Sequence, residues 1–227
     1  MNWLKQTLWS SIGKKLMMAL AGLFLVVFLL VHLGINLTLI IFDDPRIFNI
    51  AAHFMATNII IKIFEIILFG GILLHIIYGL LLQLLNWIAR PVRYRVNNPA
   101  QTSFFSKFMI HTAVIVLIFL VIHLFDFYFK TKFGHGHVAE ITYNGKIYHD
   151  LGTLVIEKFQ ILWVDIFYIA CFLFLGFHLL HGFGSAFQTL GLNHKVYTPV
   201  INSLGYIYTF IVVAGFIVIP LWIYLTR

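Results

Sequence analysis

Polar residues are sparse along this chain, and where they fall they divide it into five long apolar runs, roughly 14–42, 62–89, 105–130, 160–190 and 200–225. A helix that crosses the hydrocarbon core of a bilayer needs about 20 predominantly apolar residues, and each run is long enough. Between them lie Asp43-Asp44-Pro45, the basic stretch Arg90-Pro91-Val92-Arg93-Tyr94-Arg95, a polar segment over 131–158, and Gly191-Leu192-Asn193-His194-Lys195. Proline and glycine at such points end helices. In the 131–158 segment, Gly134-His135-Gly136-His137 precedes Tyr143-Asn144-Gly145-Lys146, which predicts a short hairpin outside the membrane. There is no internal repeat and no low-complexity tail. The pattern predicts an all-α integral membrane protein, a single domain over 1–227 with five transmembrane helices.

Composition agrees. The 227 residues are 61% hydrophobic and 10% charged, where a soluble domain carries about 25% charged residues. The single cysteine, Cys171, excludes an intrachain disulfide and a cysteine-based metal site. Lys14 and Lys15 precede the first apolar run as they would in a signal peptide. That run, Leu16 to Phe42, far exceeds a signal's apolar region of about 7–15 residues, and no small-residue cleavage site follows it. It reads as a retained first helix. The net charge of +7 comes without the basic-aromatic pattern of a nucleic-acid groove.

Charge placement predicts orientation. One side receives Lys5, Lys14, Lys15, Arg90, Arg93, Arg95, Lys107 and Lys195 and no acidic residue; the other seven cations and all eight acids fall on or toward the other side, so the asymmetry lies in the uncompensated short loops rather than in the Lys and Arg count. Short loops rich in Lys and Arg mark the cytoplasmic side, so the N-terminus is expected inside and Arg227 outside.

The chemistry sits at membrane depth. His32, His75, His123 and His178 lie well inside the first, second, third and fourth runs, and the fifth has no histidine. Polar residues within a span are costly and mark function. A lone intramembrane histidine is more often a packing or hydrogen-bonding residue than a ligand, but four on four successive helices make a pattern. Imidazole is a usual axial ligand of haem iron. At about 1.5 Å rise per residue, His32 lies roughly 25 Å beyond Lys15 and His123 roughly 24 Å beyond Lys107, both toward the outer half. His75 is near the middle of its helix and His178 roughly 18 Å from the inner end. In an up-down-up-down bundle the first and third helices are diagonal, as are the second and fourth. That geometry predicts an outer haem b on His32 and His123 and an inner one on His75 and His178. The fifth helix is then peripheral to a four-helix haem-binding bundle. His181, one turn from His178, is an alternative ligand.

Gly71 and Gly79 flank His75, and Gly182 follows His178, each one turn away; they offer room for a macrocycle or for close helix packing. Asn36 and Asp126, near His32 and His123, are positioned to bond an imidazole or a propionate, or to mark the wet interface. His111 lies about 120° round its helix from His123. His135, His137, His149 and His194 fall in loops and read as solvated, with His135 and His137 a weak candidate metal pair.

The chain resembles the membrane cytochrome b subunit of succinate dehydrogenases and fumarate reductases, in its five-helix, two-haem form. The likeness covers nearly the whole chain. It is carried by Phe48-Asn49-Ile50-Ala51-Ala52-His53-Phe54-Met55, by His75-Ile76-Ile77-Tyr78-Gly79, by Phe177-His178 followed by Gly182 and Gly191, and by His32-Leu33 followed by Asn36. In that family the fourth-helix ligand lies 13 residues ahead of the closing glycine, the spacing of His178 from Gly191, which favours His178 over His181. The resemblance implies a flavoprotein and an iron–sulfur subunit docked on the cytoplasmic face, where Arg90, Arg93, Arg95 and Lys107 lie. It also implies quinone (menaquinone) as membrane substrate and a bacterial cytoplasmic membrane location, with the dicarboxylate chemistry outside this chain. Two features depart from the family: Gly176 stands where some members carry a glutamate, and the outer loop is longer. His53, Glu65, Asp126 and Asp165 are the candidates for a quinone site at the outer end, Glu65 as a carboxylate able to exchange protons with a quinol. Two other classes compete: a cytochrome b of a hydrogenase or formate dehydrogenase, and a proton-coupled transporter, for which neither broken helices nor inverted repeats are found.

Overall fold

The computed structural model describes residues 10–89, 108–134 and 138–227. Five helices in it are long and apolar enough to cross a membrane. The first, α1 (Ser11–Ile41), starts where the Ser10 hydroxyl accepts from the Gly13 amide at 2.9 Å. A short helix, α2 (Pro45–Thr57), follows, with Asp44 as its cap and Pro45 in its first turn, where a missing N–H costs nothing. Asn58 accepts from the Ile60 amide and opens α3 (Ile59–Ala89), the second span.

The third span is interrupted. α4 (Met109–His123) passes into a π-helical turn (Leu124–Tyr128) and then α5 (Phe129–Phe133), which closes at Gly134 with φ 65°. Single π-turns inside α-helices occur frequently at functional sites. The predicted hairpin is present: β1 (Glu140–Tyr143) pairs antiparallel with β2 (Lys146–His149). Asn144 and Gly145 have φ of 51° and 76°, the left-handed pair that a two-residue type I′ turn demands. α6 (Leu151–Phe159), capped by Asp150, leads into the fourth span, α7 (Leu162–Thr189), and the fifth, α8 (Tyr197–Thr226).

The expected spans are thus recovered within a few residues, except that the third runs on to Phe133 and its expected start over 105–107 lies outside the described residues. The segments between spans hold two short helices, α2 and, inside the stretch expected as a polar loop, α6. Neither is long enough to cross a membrane, and they dock on one another. Asn49, 1% exposed, accepts from the Gly152 amide (2.8 Å) and donates to Asp150 (2.8 Å) and the Tyr143 hydroxyl (3.3 Å). A β-carbon on Gly152 would sit 2.8 Å from Pro45, so only glycine permits this approach. α2, the hairpin and α6 form a cap at one end of the bundle, the end where Arg227 pairs with Asp43.

α7 packs against α1, α4 and α8, and α1 against α3 and α8. The core follows from this: Val164, Tyr168, Cys171 and Phe172 of α7 meet Phe119 of α4, Leu33 of α1, and Val212, Phe216 and Ile219 of α8. The fifth span, expected to be peripheral because it has no histidine, is instead packed into the core. A β-carbon on Gly215 would lie 2.8 Å from Leu33, one on Gly205 2.8 Å from Phe183, and one on Gly176 3.0 Å from Val213. Small residues let helix backbones close on one another where lipid supplies no hydrophobic drive, and here they seat α8 against α1 and α7. The Tyr208 hydroxyl adds a bond to the Val26 carbonyl at 2.7 Å. The long span with no buried residue is instead α3.

Candidate functional site

α1 and α4 bring His32 and His123 together with ring centroids 5.7 Å apart and planes at 87°. α3 and α7 bring His75 and His178 together at 6.1 Å and 79°. Two helices independently measure the step between the pairs. On α1, the ring of His75 lies beside Met18 and Gly22, and His32 is ten residues beyond Gly22, roughly 15 Å. On α7, Tyr168 touches the His123 ring (6.3 Å between centroids), and His178 is ten residues further on, again roughly 15 Å.

The outer pair has an apolar setting. His32 stacks on Phe28 (5.3 Å) and meets Phe216 (5.8 Å). His123 lies between Phe119 (5.6 Å) and Phe127 (5.3 Å). Nδ1 of His123 and Nδ1 of His178 are buried without a hydrogen-bond partner, a condition that costs free energy unless something else satisfies the nitrogen. His75 differs. Its Nδ1 faces the Met18 carbonyl at 3.4 Å, and the tautomer that donates there leaves the Nε2 lone pair free to accept a bond or a metal.

A bis-histidine iron is compatible with these spacings. With metal–imidazole bonds of about 2 Å and about 1 Å from nitrogen to ring centre, the centroids of two axial imidazoles stand about 6 Å apart. The ring that meets His75 is that of His178; His181 lies a turn further along α7. Gly182 borders open space, with nothing within 4 Å of a β-carbon placed there. Gly71 and Gly79 instead face Phe24 and Met18 of α1. The glycine that touches a ligand candidate is Gly22, where a β-carbon would lie 3.3 Å from His75. No local pattern marks Gly22 in the sequence, although it lies ten residues before His32 along α1, at the inner level. Asn36 donates to the His32 backbone carbonyl at 2.8 Å.

The candidates for a quinone site fall into separate clusters at the capped end. His53, on α2, packs edge-on against Tyr148 of the hairpin (4.9 Å); partial burial, then Lys146 and His149, hold its pKa below the ordinary histidine value. Glu65, on α3, accepts from the Tyr128 hydroxyl at 2.5 Å and from Lys132 at 3.0 Å, and Phe69 packs on the Tyr128 ring at 5.0 Å. Asp126 accepts from Lys158 and from the Tyr168 hydroxyl, each at 2.6 Å. Asp165 is 2% exposed, with Oδ1 unpartnered. Tyr128, Lys132, Lys158 and Tyr168 were not singled out in the sequence, because the π-turn sets which way Asp126 and Tyr128 point.

The remaining histidines are dispersed. His111 contacts Phe108 near the start of α4, His149 ends β2, and His194 stacks on Tyr197 in an exposed turn. His135, His137 and the basic stretch from Arg90 through Lys107 lie outside the described residues. Among the described residues no group of three or more His, Cys, Asp or Glu side chains is placed to hold a metal ion.

Five spans enclosing two levels of paired histidines define a multi-pass helical membrane protein with polar chemistry at bilayer depth. No family model, no curated protein and no solved structure matches the chain.

Proposed function

We propose that this chain is the di-haem cytochrome b membrane-anchor subunit of a succinate dehydrogenase or fumarate reductase, carrying electrons between an iron–sulfur partner subunit and membrane quinone. The observation that carries the reading is the pairing of four intramembrane histidines from four helices at two depths, with centroid spacings of 5.7 and 6.1 Å. Haem bound there supplies one-electron transfer. His32 and His123 would hold the outer group, His75 and His178 the inner. Phe28, Phe119, Phe127 and Phe216 exclude water from the outer pair, and the Met18 carbonyl orients His75. The choice of this family over other membrane cytochromes b rests on the sequence resemblance.

In this reading the N-terminus faces the cytoplasm of a bacterial cell. The flavoprotein and iron–sulfur subunits dock on the inner face bearing Arg90, Arg93, Arg95 and Lys107. Dicarboxylate chemistry stays in those partners. Quinone, menaquinone by resemblance, is oxidised or reduced at the opposite end. There Glu65, held by Tyr128 and Lys132, is the group suited to exchange protons with it.

The test is haem content and spectrum after gentle detergent extraction. The reading expects about two low-spin haem b per chain, and a co-purifying flavoprotein that oxidises succinate. Replacing His32 or His123 should remove one haem and replacing His75 or His178 the other. Folded protein without haem, or retention of both haems when all four histidines are replaced, would overturn it. Haem without a succinate-oxidising partner would assign the chain to another membrane oxidoreductase.

A further inference from the structure

The outer histidine pair has a charged neighbour. Asp126 stands three residues after His123, inside the π-turn that follows α4. Its carboxylate is 15% exposed, and both oxygens are engaged: Oδ1 by the Lys158 ammonium of α6, Oδ2 by the Tyr168 hydroxyl of α7. Tyr168 is itself 1% exposed, wedged among Phe119, Phe159 and Phe172, and its ring meets that of His123 at 6.3 Å. One side chain therefore spans from the imidazole to the carboxylate. Short bonds to a cation and a phenol fix the carboxylate in place. A charge held in such surroundings acts over distance more strongly than one in water.

We propose that Asp126 and Lys158 are positioning residues that set the reduction potential of the outer haem, in opposite senses, with Tyr168 fixing the carboxylate at its station. The inference rests on the di-haem reading. An iron between two neutral imidazoles in a dianionic macrocycle carries one more positive charge when oxidised. A nearby carboxylate stabilises that form and lowers the potential; a nearby ammonium does the reverse. The pair together nearly cancels, so either partner alone is a lever.

The test is spectroelectrochemical titration of the full-length protein in detergent at fixed pH, with the two haems resolved. Asp126→Asn leaves Lys158 uncompensated and should raise the outer potential. Lys158→Met leaves the carboxylate uncompensated and should lower it. Each is expected to move the ferric–ferrous equilibrium by about tenfold, about 59 mV for one electron. The double variant should return toward the parent value, and the inner haem serves as an internal reference that does not move. A purely structural role would shift both single variants the same way, or release the outer haem from both, and either result overturns the proposal. Two intact haems with unmoved potentials overturn it as well, while leaving the di-haem reading standing. Absence of haem from the folded parent protein overturns that reading and the proposal together.

Discussion

Gly22 offers the sharpest separation between holding the fold and holding a cofactor. A β-carbon there would lie 3.3 Å from Cε1 and 3.4 Å from Nδ1 of His75, against about 3.5–4.0 Å for relaxed carbon contacts. Gly22→Ala therefore asks the imidazole to retreat by a few tenths of an ångström. In water the same change favours a helix by about 1 kcal/mol, so α1 itself is not weakened. On the proposed di-haem reading, the expected result is an unchanged or slightly higher unfolding temperature, with the spectrum and potential of the inner haem altered and those of the outer haem kept. Gly22→Leu drives three more carbons into the same space. A retreat of tenths of an ångström cannot absorb that, and overpacking of this kind costs about 1–3 kcal/mol. The inner haem should be lost and haem content halved. Gly70→Leu, on α3, is the control, because a β-carbon there meets nothing within 4 Å. Pyridine haemochrome assay gives the stoichiometry and electron paramagnetic resonance the ligand field. Retention of both haems with unchanged spectra in Gly22→Leu would refute the placement of His75 against α1. So would loss of the outer haem first.

Two further predictions concern the cap. Asn49→Leu strands the buried Gly152 amide and removes a charge-assisted bond to Asp150, a local loss of roughly 2–5 kcal/mol. Amide exchange across 140–159 should accelerate while exchange in 162–189 is unaffected; unchanged protection in the cap would contradict the clamp. His53 has a folded-state pKa held below the ordinary 6.5 by partial burial and by Lys146 and His149. The unfolded cap then takes up the proton first, so the contribution of His53 to stability is full above about pH 6.5 and is lost as pH falls below it. The protection factor across the hairpin, exchange normalised to the intrinsic amide rate at each pH, should fall on acidification through that range in the parent protein and flatten there in His53→Gln, and equal pH dependence in both would rule the mechanism out.

The five spans were legible from sequence because bilayer thickness alone sets the length of an apolar run, and no tertiary detail enters. Depth was legible for a related reason. A fixed rise per residue turns sequence distance into height, so the histidine levels follow by counting from Lys15 and Lys107. The hairpin at Asn144-Gly145 was legible because few residues adopt two consecutive left-handed conformations. Azimuth was not. A helix apolar on all sides has no stripe to say which face meets protein, so the central place of α8 emerged only through Gly176, Gly205 and Gly215, whose role depends on what lies across from them. The π-turn after His123 likewise rotates Asp126 and Tyr128 by a fraction of a turn that no local pattern encodes, and it thereby decides that one carboxylate meets Lys158 while the neighbouring phenol meets Glu65. Length and height are properties of one chain segment and were determined by the sequence itself. Which faces touch is a property of several segments packed at once, and only the tertiary structure decided it.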